Sequence, residues 1–185
     1  MKQRCFWVTD DKLYQDYHDN EWGIPVYDDE TLFEFLLLET FQAGLSWVTI
    51  LNKRENFRKA FDNFDYQKIA TYSESKYNTL LQDKGIIRNK LKIRSAITNA
   101  QLFMEIQKEF GSFSKYFWSF VNNTPIVNKF KNRLEVPANT PLSDQISKDL
   151  KKRGFKFVGS TVVYAFMQAT GLVNDHTKNC FKYPN

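Results

Sequence analysis

The chain has few residues that ligate soft metals, since its 185 residues include only two cysteines and two histidines. Two cysteines cannot build the disulfide framework of a small secreted domain, and the first residues lack the long apolar segment of a signal peptide. No apolar run approaches the ~20 residues that cross a membrane. These features predict a cytoplasmic protein with no membrane partner.

Glycine and proline are also scarce, with seven and five residues, and no repeat or low-complexity tract is present. At 42% hydrophobic and 16% aromatic residues, the chain can build one sizeable core. Apolar residues recur at helical spacing nearly throughout, and no strand pair or hairpin signal is convincing. We therefore predict an all-α fold, a single domain over residues 1–185, with two helical lobes around a cleft.

Positive charge is concentrated in two segments of a chain whose net charge is +5. Residues 84–94 contain five bases and no acid, and residues 148–156 contain five bases and one acid. Concentrated bases favour a polyanionic partner such as nucleic acid. The alternative is a charged surface that is only solvated.

Glu39 lies in the most apolar stretch of the chain, residues 31–50. Asp28 is a candidate N-cap, and the helix that follows would place Glu39 on one stripe with Leu32, Leu36 and Ala43. On the same helix Glu34 is expected to face water. A buried carboxylate is costly unless it is paired, so Glu39 is a candidate functional residue. The alternative is a structural glutamate satisfied by helix N-termini or by an arginine.

Aromatic residues are dense around this acid. Gly44 is expected to end the first helix and Ser46 to cap a second one, so that Trp47 follows Glu39 after a short turn. Residues 14–25 add further rings. A buried acid beside tryptophan and tyrosine can bind a flat heterocycle, because the rings stack on its face and the acid forms hydrogen bonds with its edge. The alternative is that these rings are core.

Every cysteine and histidine of the chain falls in two pairs, Cys5 with His18 and His176 with Cys180. Two cysteines and two histidines form a tetrahedral zinc set, and four protein ligands leave no open position. We predict one structural Zn2+ per chain, joining the amino- and carboxyl-terminal segments. The alternatives are free thiols with surface histidines, or a Cys5–Cys180 disulfide, which a reducing cytosol disfavours.

Residues 80–92 predict a helix, a turn containing Gly85, and a second helix, with bases crowding the turn. Backbone N–H groups of such a turn, with the following helix N-terminus, can bind phosphate without reading sequence. Any helix–turn–helix would give this pattern, so it suggests DNA contact without specifying it.

Taken together, nine stretches of the chain resemble the bacterial type I 3-methyladenine DNA glycosylases of the helix-hairpin-helix superfamily. They run almost from end to end: RCFW (4–7), YHDNEWG (17–23), LE (38–39), QAGLSW (42–47), KREN (53–56), GIIR (85–88), FWSFVN (117–122), KKRGFKFVG (151–159) and GLVNDH (171–176).

The resemblance implies a role for each matching position. Glu39 would be the base-recognising acid, and the pocket aromatics would be Tyr17, Trp47, Trp7 and Tyr14. Residues 47–120 would form the helix-hairpin-helix lobe, and the four cysteines and histidines the zinc site. The implied DNA-binding residues are Gly44, Leu45, Gly85, Ile86, Ile87, Arg88 and Lys90.

The function implied is excision of 3-methyladenine from double-stranded alkylated DNA by hydrolysis of the N-glycosidic bond, which leaves an abasic site. The partner would be that DNA, bound by a monomer without a nucleotide cofactor. No acid follows Gly85 until Glu105, so the aspartate that many superfamily members place beyond the hairpin is missing. The alternatives are a zinc-stabilised nucleic-acid-binding module without catalysis, or a glycosylase for a different alkylated base.

Overall fold

The computed structural model describes residues 2–184, and its architecture there is mostly helical. The helices and strands in chain order are α1 (Lys12–Asn20), α2 (Asp29–Gln42), α3 (Trp47–Ala60), α4 (Tyr66–Ile69), α5 (Glu74–Gln82), α6 (Lys90–Phe110), α7 (Phe113–Ser119), β1 (Ile126–Val127), α8 (Pro141–Arg153), α9 (Ser160–Ala169) and β2 (Val173–Asn174).

Helix α2 lies at the centre of the core, where α3, α6, α7 and α9 pack against it. Asp28 caps it as predicted, because its side chain accepts from the backbone N–H of Thr31. Residues 32–41 of the helix are all buried. A helix that is buried on every side has no polar face, so any charged residue on it needs a partner inside the protein.

The expected exposure of Glu34 is wrong, because its side chain is buried. Arg54 and Arg58 on α3 both donate to the Glu34 carboxylate, with N–O distances of 2.7 and 2.8 Å. Arg54 also donates to Glu21 at the end of α1. Two guanidinium groups replace the water that the carboxylate loses, and the ion pairs join α1, α2 and α3.

Side-chain caps mark the starts of several other helices, although Ser46, the predicted cap of α3, makes no such hydrogen bond. The side chains of Ser73, Asn89 and Ser112 accept from backbone N–H groups in the first turns of α5, α6 and α7. Helix α8 begins at Pro141, where Thr140 and Ser143 form a capping box around its first turn.

No strand was predicted, yet residues 2–184 contain one strand pair, in which β1 and β2 run parallel over two residues each. Two residues are too few to produce an alternating pattern, and the partners are far apart in the chain. The pair joins the segment before α8 to the segment after α9.

The amino- and carboxyl-terminal segments meet at several points. The N–H of Val26 donates to Thr170, and the N–H of Phe181 donates to Gln3. Gly171 has φ +69°, and a Cβ atom there would lie 2.4 Å from the backbone of Ile24. The close approach therefore requires glycine at this position.

Within residues 2–184, no helix combines the length and the apolar character that crossing a membrane would require.

Candidate active site

A cavity of about 280 Å³ opens between α2, α9 and the amino-terminal segment. This volume is near the lower end of ligand pockets, about 300–1,000 Å³, and suits one small molecule. The residues that line it are Phe6, Trp7, Tyr14, Tyr17, Trp22, Glu39, Gln42, Trp47, Val136, Pro137, Ala138, Thr161, Tyr164, Ala165, Gln168 and Asp175.

Glu39 projects from α2 into this cavity and is only 3% exposed. Its Oε2 atom is buried without a hydrogen-bond partner among the described residues. The nearby arginines of α3 bind Glu34 instead, so the structural alternative for Glu39 finds no support. Burial raises the pKa of Glu39 to about 8. The carboxyl group is thus mostly neutral at pH 7 when the cavity holds no ligand.

Trp47 begins α3 and faces the same cavity. Its indole Nε1 is the second buried side-chain atom without a partner among the described residues. The Trp47 ring lies 5.2 Å from the ring of Tyr17, and burial raises the pKa of the Tyr17 phenol. Unsatisfied buried polar atoms are rare in folded proteins, so two at one cavity point to a ligand that supplies the missing partners.

The other predicted aromatics also line the cavity. Trp7 lies 5.0 Å from Tyr14 and 5.0 Å from Trp22, measured between ring centroids. The four predicted rings, Tyr17, Trp47, Trp7 and Tyr14, therefore surround the same space as Glu39. Trp22 was not among the predicted pocket residues, although it lies within the aromatic segment of residues 14–25.

Sequence reasoning missed one part of the cavity lining. Helix α9 contributes Tyr164 and Gln168, and Asp175 follows β2. The α9 sequence is nearly all apolar and reads as core. The one available signal was the position of Asp175 next to the candidate ligand His176.

The four predicted metal ligands come together, although 171 residues separate Cys5 from His176 in the chain. Cys5, His18, His176 and Cys180 are all buried, and their ligand atoms lie within 4.8 Å of one another. The Cys180 sulfur lies 3.4 Å from His18 Nε2 and 3.4 Å from His176 Nδ1. This cluster could hold a metal ion.

The second nitrogen of each histidine ring has its own partner. His18 Nδ1 lies 2.8 Å from a carboxylate oxygen of Asp19, which Arg4 binds through two nitrogens. His176 Nε2 lies 3.1 Å from the backbone oxygen of Trp22. Such contacts fix the ring orientation and direct the opposite nitrogen toward the centre of the cluster. Because Trp22 also lines the cavity, the cluster borders the candidate active site.

The turn after α2 projects from the surface. Gly44 has φ +79° with open space around its Cβ position, and the Leu45 side chain is 40% exposed. Lys92 of α6 stabilises this turn, because its Nζ donates to the backbone oxygens of Phe41 and Ala43. Lys92 is 6% exposed, so this one of the five bases counted in residues 84–94 does not lie at the surface.

The predicted helix–turn–helix is present as α5, a turn over residues 83–89, and α6. The Gly85 N–H donates to the carboxylate of Asp83, at 2.7 Å. The Ile86 side chain is buried and Ile87 is half-buried, so a contact of Ile86 with DNA would use its backbone. Arg88 and Lys90 are exposed beside the turn.

Arg94, another base of the 84–94 segment, is engaged within the protein. Its guanidinium binds the Glu74 carboxylate through two nitrogens and lies 3.7 Å from the centre of the Tyr77 ring. The exposed bases around the turn that are left for a polyanion are Lys84, Arg88 and Lys90.

Comparisons with known proteins agree along nearly the whole chain. A family model described as methyladenine glycosylase matches residues 7–183. The chain is 50% identical to DNA-3-methyladenine glycosylase 1 of Escherichia coli K12, over 98% of this chain and 97% of that protein. A crystal structure of a 3-methyladenine DNA glycosylase I superposes with a TM-score of 0.96 at 50% identity, covering 98% of this chain and 100% of that one.

A second solved structure concerns 3-methyladenine recognition by the glycosylase I of Staphylococcus aureus. It superposes with a TM-score of 0.95 at 37% identity and covers 98% of this chain and 97% of that one.

The burial of Glu39 predicts a particular dependence of stability on pH. The raised pKa means that the unfolded chain ionises between about pH 4.5 and 8 while the folded protein stays protonated. Wild type should therefore lose stability relative to Glu39→Gln across this window, by on the order of a few kcal/mol at pH 8. Urea unfolding of both proteins at several pH values measures the difference. A difference that does not change with pH would contradict the neutral, desolvated state of Glu39.

Proposed function

This chain belongs to the methyladenine glycosylase family, and we propose that it excises 3-methyladenine from alkylated double-stranded DNA. The reaction is hydrolysis of the N-glycosidic bond, with a free base and an abasic site as products. It is the first step of base excision repair. The protein is therefore a DNA glycosylase that acts as a monofunctional N-glycosyl hydrolase.

The observation that carries the proposal is the pair of unpartnered polar atoms, Glu39 Oε2 and Trp47 Nε1, in a cavity with room for about one base. A purine that enters the cavity can stack on the Trp47 ring and present an edge to Glu39. A base inside a duplex cannot reach such a pocket, so the nucleotide has to leave the stack first.

The charge of the lesion explains how such a pocket can work. 3-Methyladenine attached to deoxyribose carries a positive charge, and this charge weakens its glycosidic bond. The cation favours the ionised form of Glu39 over the neutral form of the empty cavity. Water adds to the sugar carbon as the bond to the base breaks, the bonding electrons neutralise the base, and the added water loses a proton to solvent. An unmodified adenine lacks the charge, so both its attraction and its bond activation are missing.

The same geometry suggests how the duplex is held. Leu45 would fill the space that the extruded nucleotide leaves. The backbone of Gly85, Ile86 and Ile87 would bind a phosphate, with the N–H groups of Gly85 and Ile86 exchanging their present partner, Asp83, for it. Arg88 and Lys90 would lie beside it. Support comes from the exposure of Leu45 and of the two bases, and from the glycine turn that carries Leu45. The α5–turn–α6 segment would then act as the helix-hairpin-helix, in a lobe of about residues 47–120.

We further propose that the Cys5, His18, His176 and Cys180 cluster holds one structural zinc ion. Bond lengths of about 2.3 Å to sulfur and 2.0–2.1 Å to nitrogen at tetrahedral angles give S–N separations of about 3.6 Å. Three of the four S–N separations in the cluster are 3.5, 3.4 and 3.4 Å, and all four ligand atoms lie within 4.8 Å of one another. All four ligands come from the protein, so the ion would tie the chain ends together and take no part in the reaction. We propose a cytoplasmic monomer on the basis of the substrate and the family.

Incubation of the purified protein with methylated duplex DNA should release free 3-methyladenine, identified by chromatography. Glu39→Gln should slow the release by about tenfold or more, because the charge that favours the cation is lost. Glu105→Gln is the matched control, since Glu105 is an exposed residue of α6. DNA binding without base release would indicate a binding module, and release of other bases alone would indicate a different specificity.

Lys90→Ala should weaken DNA binding equally for all sequences and lower the slope of log K against log salt by about 0.9, the value for one lost phosphate contact. Lys108→Ala is the matched control, because Lys108 lies on the same helix about 27 Å away. Fluorescence titrations at several salt concentrations measure both slopes. Equal slopes for the two variants would place the DNA on another face.

Metal analysis should find one zinc per chain. Cys180→Ser should lose the metal and several kcal/mol of stability, because binding energy at a closed site is folding energy. A chelator should lower the melting temperature of wild type, and added zinc should restore it. A metal-free protein with unchanged melting temperature would contradict the zinc site.

A further inference from the structure

The α9 wall of the cavity is organised around one buried carboxylate, Asp175, which is 2% exposed. One of its oxygens accepts from the Tyr164 hydroxyl at 2.5 Å and from Gln168 Nε2 at 2.8 Å. The other oxygen accepts from Asn128 Nδ2 at 2.7 Å. These three donors come from α9 and from the residue after β1, so the carboxylate fixes side chains of two separate segments.

This network determines which end of the Gln168 amide faces the cavity. A carboxylate accepts hydrogen bonds and cannot donate them, so the amide nitrogen of Gln168 has to point toward Asp175. The amide oxygen, Oε1, then points away from it. Among residues 2–184 no donor binds this oxygen, and Gln168 lines the cavity. The part of the cavity lining that α9 contributes therefore offers a hydrogen-bond acceptor held in one orientation.

We propose that Gln168, held in place by Asp175, is a specificity-determining residue that accepts a hydrogen bond from the exocyclic amino group of the bound purine. The inference rests on the proposed function. Glu39 and Gln168, which both line the cavity, would then each accept one of the two hydrogens of the 6-amino group. Asp175 is a positioning residue, because it acts on the base only through the orientation of Gln168.

The chemistry predicts which purine the wall rejects. Adenine carries an amino group at C6, whereas guanine carries a carbonyl oxygen at the same position. A carbonyl oxygen facing Gln168 Oε1 would place two acceptors against each other with no hydrogen between them. A site built to receive a donor discriminates strongly against a ligand without one, since its own polar group is left unpaired. The pocket would thus favour 3-methyladenine over 3-methylguanine.

The test compares the binding of the two free bases to the full-length protein, followed by tryptophan fluorescence. Gln168→Met keeps the length of the side chain and removes the acceptor. Its affinity for 3-methyladenine should fall by about tenfold, the effect of one hydrogen bond, while its affinity for 3-methylguanine should stay the same or rise. The ratio of the two affinities is the decisive quantity, because any loss of folded protein lowers both affinities equally.

Gln101→Met is the matched control, since Gln101 is exposed on α6 and its amide donates to Ala70. It should leave the ratio at the wild-type value. Asp175→Asn should lower the ratio of the affinity for 3-methyladenine to that for 3-methylguanine, as Gln168→Met does. An asparagine at position 175 can present either its amide oxygen or its amide nitrogen to Gln168, so it no longer fixes the orientation of Gln168. Metal content is measured alongside, since His176 is the next residue.

Gln168→Asn should also lower the ratio, because its shorter side chain does not place an amide oxygen at the same distance from α9. An unchanged ratio in Gln168→Met, or equal loss of affinity for both bases, would overturn the inference and leave the proposed function intact. Failure of the wild-type protein to bind 3-methyladenine would overturn the proposed function and the inference together.

Discussion

Helix α2 is enclosed by its neighbours, and it carries the carboxyl group of Glu39, whose Oε2 atom has no hydrogen-bond partner among the described residues. Leaving Glu39 desolvated costs free energy, which the surrounding apolar contacts have to offset. The contrast with Glu34 on the same helix shows how selective this arrangement is. Arg54 and Arg58 bind the Glu34 carboxylate, whereas no arginine among the described residues binds Glu39. The Glu39 carboxyl group is therefore left free to bind a ligand.

The chain ends complete the pocket that this acid faces. The first twenty-two residues provide most of its aromatic wall, and the segment after α9 provides Asp175. The cysteine and histidine cluster joins these two segments directly beside the cavity, where His176 contacts the backbone of Trp22. Loss of the contacts between the ends would therefore open the pocket as well as destabilise the fold.

Some basic residues are bound within the protein and others are exposed, and the charge count of a segment does not distinguish between them. Lys92 caps the carbonyl end of α2, where a positive charge is favourable, and so fixes the turn that carries Leu45. Arg94 and Arg153 are bound by acidic side chains. Lys84, Arg88 and Lys90 are exposed next to one another at the turn before α6, which narrows the candidate DNA-contacting surface.

The sequence by itself determined the helical class, several helix boundaries, the buried position of Glu39 and the membership of the cysteine and histidine cluster. These follow from local physics, namely periodicity, capping residues and the scarcity of cysteine and histidine. Only the tertiary structure decided that Glu34 is paired, that Lys92 is internal, and that Tyr164, Gln168 and Asp175 form the second wall. Each of these features depends on contacts between residues that are far apart in the chain. A local sequence pattern does not show which distant side chain will be the partner of a given residue.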